Sequence, residues 1–232
     1  MKKQNYLLFI IWLSLIPWKS ALGIGGFGFQ GGQSIFDASS KSSKNGVDLA
    51  TSEFMNPFSG GVYLYIDAIP FIDLEADISL SAKKYSFIFS PLAGYNEIGP
   101  YDFVWGDFSI YLTARKKIIG LGVPLLAKAK LFYGGGINMN TVTPVMGLDF
   151  MEEVLDGNLT NNPANFSVSE NDLIEFLKDN KVRSNGFHIQ SGLQFKVLML
   201  DTFLFYRHTF AKDIIPGQDH FGSLNLRMGM GF

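Results

Sequence analysis

The chain has 232 residues and a formal net charge of −2; 47% of its residues are hydrophobic, only 17% are charged, and cysteine is absent. The lack of cysteine excludes a disulfide framework, a thiolate metal site, a thiol nucleophile and a lipid carried on an amino-terminal cysteine. The near-neutral balance offers no basic footprint for nucleic acid, and 22 Phe, 9 Tyr and 3 Trp exceed what a disordered chain carries.

Lys2 and Lys3 precede an apolar run, Tyr6 to Pro17, followed by the small residues Ser20, Ala21 and Gly23. A charged start, about a dozen apolar residues and a small-x-small exit describe a secretory signal peptide. The run falls short of the ~20 residues that span a bilayer as a helix. Residues 1–23 are read as a cleaved leader and 24–232 as one exported domain, with 16 basic against 21 acidic residues.

From there the hydrophobic pattern has period two, the mark of strands with unlike faces. Residues 24–31 are Gly-rich around Phe27 and Phe29, and 60–68 set Val62, Leu64 and Ile66 against Tyr63, Tyr65 and Asp67. In 71–82, Leu74, Ala76, Ile78 and Leu80 alternate with Asp73, Glu75, Asp77 and Ser79; the alternation of Tyr85–Ser90 continues this third strand. In 104–115, Phe108, Ile110 and Leu112 oppose Asp107, Ser109 and Arg115. In 127–139, Leu131, Tyr133 and Ile137 oppose Lys128, Lys130 and Phe132. Segments 187–197, 202–210 and 223–232 complete a set of eight, with nine or ten as the alternative count.

Connections alternate in length. Ala68–Pro70 and Leu198–Asp201 are short, Lys116–Leu126 is modest, and 32–59, 84–102, 140–184 and 211–220 are read as loops. Within 140–184, Ser169 and Asp172 resemble a capping box ahead of Leu173, Ile174, Phe176 and Leu177, and Met146–Leu155 reads as a second short helix.

Period two fits a soluble sandwich and a membrane barrel alike. Three features favour the barrel, in which apolar residues face lipid and polar residues line the lumen. The segments are long, as tilted spanning strands must be. Aromatic residues crowd their ends, as in Tyr101/Phe103/Trp105, Phe205/Tyr206/Phe210, Phe71 and Phe195, which suits interfacial girdles. The last strand carries an apolar residue at every second position from Leu224 to Phe232. The expected fold is all-β: an eight-stranded antiparallel up-and-down transmembrane β-barrel with long outer loops, one containing short helices.

The leader, the eight alternating strands and the terminal LNLRMGMGF resemble the small bacterial outer-membrane β-barrel proteins, the outer-membrane protein A/X/W type. The resemblance implies outer-membrane localisation, both termini in the periplasm, outer-membrane lipids as surroundings, and an assembly signal read by the outer-membrane assembly machinery. Phe232, Met230 and Met228 match that signal. The loop 140–184 departs from the minimal pattern and is the candidate surface for a partner.

The polar face gathers Asp67, Asp73, Glu75, Asp77 and Asp107 with Arg115, Lys128, Lys130, Lys196, Arg207 and Arg227. An eight-stranded barrel is only wide enough for its side chains to fill it, so these charges must pair. A salt-bridge network that fills the lumen is the expectation; a narrow polar conduit for small or hydrophobic solutes is the alternative. His188, His208 and His220, with Asp213 and Asp219 nearby in sequence, are the material for a lipid-modifying or proteolytic enzyme. No GxSxG, HExxH or P-loop pattern supports that reading. The Gly134–Gly136 run lies inside a strand, where neighbouring groups approach closely. No catalytic residue, cofactor or metal is expected, and oligomeric state is not legible.

Overall fold

The computed structural model of the chain describes residues 25–44, 47–67, 71–90, 97–123, 126–148 and 177–232. The leader and most of both expected helices lie outside these residues; within them, only Leu148 and residues 177–179 are helical.

Strands account for most of the described chain. In order they are β1 (Gly25–Ile35), β2 (Asp37–Ala38), β3 (Lys41–Lys44), β4 (Val47–Thr51), β5 (Phe54–Met55) and β6 (Phe58–Ile66). They continue as β7 (Asp73–Ser90), β8 (Ile98–Val123), β9 (Ala127–Val142), β10 (Val182–Val197), β11 (Leu200–Ile215) and β12 (Gln218–Gly231). Eight of them form an antiparallel ring, β6-β1-β12-β11-β10-β9-β8-β7, closed where β7 pairs with both β6 and β8. Closure leaves no unpaired edge, which an open sheet could not avoid in hydrocarbon.

The register sets the slope of the strands. Following partners once round from Ala82 leads through Phe58, Gln33, Leu224, Tyr206, Ser191, Tyr133 and Lys116. Because Arg115 pairs with Asp73, Lys116 faces Ile72, ten positions below the starting residue on β7. That stagger is the tilt of roughly 35–45° that a closed barrel requires. We call the end where Gly25 pairs with Phe232 the lower end.

The strands outrun their sequence-based limits at the upper end. The expected 84–102 loop shrinks because β7 is one strand to Ser90 and β8 starts at Ile98. The expected 211–220 loop is a hairpin turning at Pro216–Gly217, where Gly217 takes φ 73°. At the lower end, in place of the Lys116–Leu126 connection, β8 runs to Val123 with a bulge between Lys117 and Ile119. The 32–59 loop is itself folded: β2 pairs with β5, and the β3–β4 hairpin docks on β7 through Asp48↔Ser90 to Thr51↔Phe87. The docking of this hairpin on β7 depends on partners about 40 residues away and leaves no local signal.

Side chains sort by parity. Outward positions form a continuous apolar belt that includes Phe27 and Phe29 on β1, Leu64 on β6, Leu80 on β7, Leu112 on β8 and Ile137 on β9. It continues through Ile189 on β10, Leu204 on β11 and Leu226 on β12, all well exposed. On β7 the belt spans Leu74–Ala82 and ends at the outward Lys84, which pairs with Asp102 at 2.7 Å, both exposed. Inward positions hold the buried polar residues, among them Glu75, Asp77, Arg115, His188, Arg207 and Arg227. A soluble fold would invert this distribution.

Candidate functional site: the filled lumen

Within the belt the lumen is occupied by guanidinium groups wedged between carboxylates and rings. Asp77 on β7 sits at the centre. It accepts two parallel bonds from Arg207 on β11, at 3.0 and 2.7 Å, a third from Arg227 on β12 and a fourth from Gln30 on β1 at 3.0 Å. Such a bidentate fork is the strongest form of carboxylate pairing. Glu75, one inward step lower on β7, lies 3.2 Å from Arg227 and 3.6 Å from Arg115, and accepts from Gln190. Gln190 in turn accepts from Arg207 Nε at 3.1 Å, and Gln30 accepts from Arg227 Nε at 2.8 Å. Six strands, β7 with β1, β8, β10, β11 and β12, are thus cross-linked through two carboxylates.

Toward the lower end Arg115 reaches Asp67 at 3.3 Å and Asp73 at 3.4 Å, and Lys130 pairs with Asp67 at 3.3 Å. Each arginine also lies on aromatic faces. Arg207 sits 3.9 Å above the Tyr111 ring, Arg227 4.5 Å from Phe205, and Arg115 4.8 Å from both Phe132 and Phe203. Delocalised, weakly hydrated guanidinium suits that double role, where a lysine would not.

Two smaller constellations flank this network. His188 Nε2 lies 2.8 Å from Thr113 Oγ1. The two residues stand on β10 and β8, each paired with Gly136 of the intervening β9, so they meet across a position that has no side chain. A Cβ on Gly136 would lie 1.8 Å from the Leu112 carbonyl oxygen. Above, Asp107 accepts from Ser109 at 2.6 Å.

Over the polar layer lies an apolar cap that the sequence reading did not anticipate. Phe36, Phe54, Tyr85, Phe87, Phe103, Trp105, Val142, Ile214, Ile215 and Phe221 form one buried cluster. Trp105 is 2% exposed and contacts Phe36 and Phe54 with ring centroids 5.7 Å away in each case. Burial above the belt pushes the Tyr85 hydroxyl up to about 12, and the Met146 amide donates to it at 2.9 Å. Here the expectation of an aromatic girdle is corrected. Phe103, Trp105 and Phe205 point inward and are buried, whereas Tyr101, Phe71, Tyr206 and Phe195 are exposed. Their parity places them inside, since all three share a face with Asp107 or Arg207.

Of the eleven charged residues singled out on the polar face, Asp67, Asp73, Glu75, Asp77, Arg115, Lys130, Arg207 and Arg227 take part in ion pairs. Among the described residues Asp107 is hydrogen-bonded to Ser109 only, and Lys128 and Lys196, which face each other across β9 and β10 at the lower mouth, make no ion pair. Asp201 was missed. It is completely buried and accepts from Tyr65 and, at 2.8 Å, from Gln194. Reading the β11 alternation back from Phe203 would have reached it. Gln30, likewise missed, occupies the polar parity opposite Phe27 and Phe29. The three histidines do not share one site: His188 is buried in the lumen, while His208 and His220 lie together outside the barrel wall, their rings 5.1 Å apart. Phe232, Met230 and Met228 line the outer face near the lower end, with Phe232 edge-on to Phe27 at 6.2 Å.

A scan against protein-family models gives no match, and neither does a search of curated proteins. Among solved structures the chain is similar to Neisserial surface protein A, with 13% identity over 90% of this chain and 97% of that one and a TM-score of 0.46. It is similar as well to OprG of Pseudomonas aeruginosa (9% identity, 89% and 91% covered, TM-score 0.44). A third is Ail, the attachment invasion locus protein of Yersinia pestis (10% identity, 90% and 99% covered, TM-score 0.43). The identifying features are internal to the chain: a closed ring, an apolar exterior and a polar interior whose charges are largely paired. This chain is an eight-stranded antiparallel transmembrane β-barrel, apolar on its outer wall and charged within.

Proposed function

We propose that the protein is a closed, non-conducting scaffold of the outer membrane, with a structural role and a surface-interaction role carried by its upper end. The observation that supports this most is the double filling of the lumen. A charged layer around Asp77 lies beneath the apolar layer around Trp105, and the side chains of both are buried. In this reading the lower end faces the periplasm, the loop 140–184 is the surface for a partner, and the inner charges hold the ring in register rather than conduct. The outward stripe Met228, Met230 and Phe232 serves the assembly machinery. No residue has a catalytic role.

Planar-bilayer recording tests it. Purified, refolded barrel is expected to leave the bilayer silent at moderate voltage, with no reproducible unitary steps. Discrete openings that scale with protein and persist across preparations would assign the lumen to the conduit alternative.

A further inference from the structure

On the outer wall, at the upper margin of the apolar belt, β11 and β12 bring two imidazoles together. His208 and His220 have ring centroids 5.1 Å apart with planes inclined by 34°. They are not directly opposite: His208 pairs with Gly222 and His220 with Phe210, so the two rings approach along the diagonal of the ladder. His220 is exposed and His208 half-buried.

The neighbourhood orients one ring. Gly222 has no side chain, and the Tyr206 hydroxyl takes that space; a Cβ on Gly222 would lie 2.3 Å from it. From there the hydroxyl lies 3.3 Å from His208 Nδ1. With Nδ1–H donating to the Tyr206 oxygen, the ring proton stays on Nδ1 and Nε2 is left bare to coordinate, the arrangement by which outer groups prepare a histidine for a metal. Phe210 packs against His208 at 4.7 Å and is stacked on Phe187 at 4.5 Å, which limits the ring's freedom.

We propose that His208 and His220 form a two-imidazole site for a borderline divalent transition cation such as Zn²⁺ or Ni²⁺, oriented by Tyr206. Imidazole nitrogen suits these ions and not hard Mg²⁺. Water or lipid phosphate oxygens complete the coordination. Bound there, the ion ties β11 to β12 from outside, independently of the charge network within. The site is independent of whether the lumen conducts.

The experiment is a titration of the folded full barrel in zwitterionic detergent with NiCl2, with ZnCl2 and with MgCl2. One Ni²⁺ or Zn²⁺ per chain is expected to bind saturably and to raise the urea midpoint, because an ion held only by the folded state stabilises it. Mg²⁺ is expected to do neither. His208→Asn and His220→Asn each abolish the effect, and His188→Asn leaves it intact. Tyr206→Phe keeps both imidazoles and weakens binding about tenfold. Should a variant refold poorly, Ni²⁺ broadening of the imidazole proton signals in the unaltered protein decides: His208 and His220 broaden together and His188 does not. Absence of saturable binding, or binding that survives loss of either outer histidine, overturns the site.

Discussion

The Tyr65 hydroxyl donates to the Asp201 carboxylate from a strand three places away in the ring, passing over Gly26 and Gly231. A Cβ on Gly26 would lie 2.6 Å from the Tyr65 ring, and one on Gly231 would lie 2.6 Å from its hydroxyl and 2.7 Å from Asp201 Oδ2. The two glycines therefore form the saddle on which the ring lies. Gly231→Ala is expected to lower stability by about 1–3 kcal/mol through overpacking. Tyr65→Phe, which leaves Asp201 with Gln194 as its hydrogen-bond partner among the described residues, is expected to cost a similar ~1–3 kcal/mol. Urea midpoints of the refolded barrel in detergent check both.

Asp77 neutralises two arginines, so its loss is worse than the loss of one contact. Asp77→Ala leaves Arg207 and Arg227 buried and undercompensated, for an expected cost of about 3–5 kcal/mol. Adding Arg207→Met to Asp77→Ala removes one of the stranded charges and is expected to recover part of that loss. A double-mutant cycle by equilibrium unfolding reads the coupling; strictly additive effects would contradict the proposed network.

The cap and the charged layer act separately. Trp105→Ala is expected to cost about 3–5 kcal/mol, as large aromatic truncations in packed cores do. It is expected nonetheless to leave a bilayer unpermeabilised, because the Asp77 layer lies intact below. Unfolding midpoints and planar-bilayer recordings on the same preparation separate the two consequences.

Leu226 stands near mid-belt on the outer face and is about half exposed (47%). Leu226→Arg is expected to cost roughly 2–4 kcal/mol in a bilayer, the depth-dependent cost of arginine on a lipid-facing strand. Leu226→Met changes little. Folding equilibria in liposomes provide the measurement.

Parity was the legible part of the fold. Once Leu74, Ala76, Ile78 and Leu80 were assigned outward, Asp73, Glu75 and Asp77 had to line the lumen, and the identity of the central charges followed. What stayed hidden depends on neighbours remote in the chain. Nothing near Asp107 announces that it bonds Ser109 while Asp77 collects two guanidiniums, because that choice is set by the stagger between β7 and β12. Trp105 and Phe103 read equally well as interfacial rings or as a cap, since both locations are served by aromatics at strand ends. Their shared parity with Asp107 contained the answer. The 211–220 segment looked like a loop because the neighbours Ile214 and Ile215 break the alternation; both turn inward and join the cap as the hairpin closes.

The absence of cysteine makes the most direct test a clean one. Single cysteines placed along β12, at Leu224, Leu226 and Met228 and at the intervening Asn225, carry a nitroxide in the refolded barrel within a lipid bilayer. Labels at the three outward positions are expected to collide with dissolved oxygen and to be shielded from a water-soluble nickel chelate, while the label at Asn225 meets neither reagent freely. Outward labels that collide with the chelate as readily as with oxygen would contradict the account, because they would then face water and the charged side chains would have no reason to be inside.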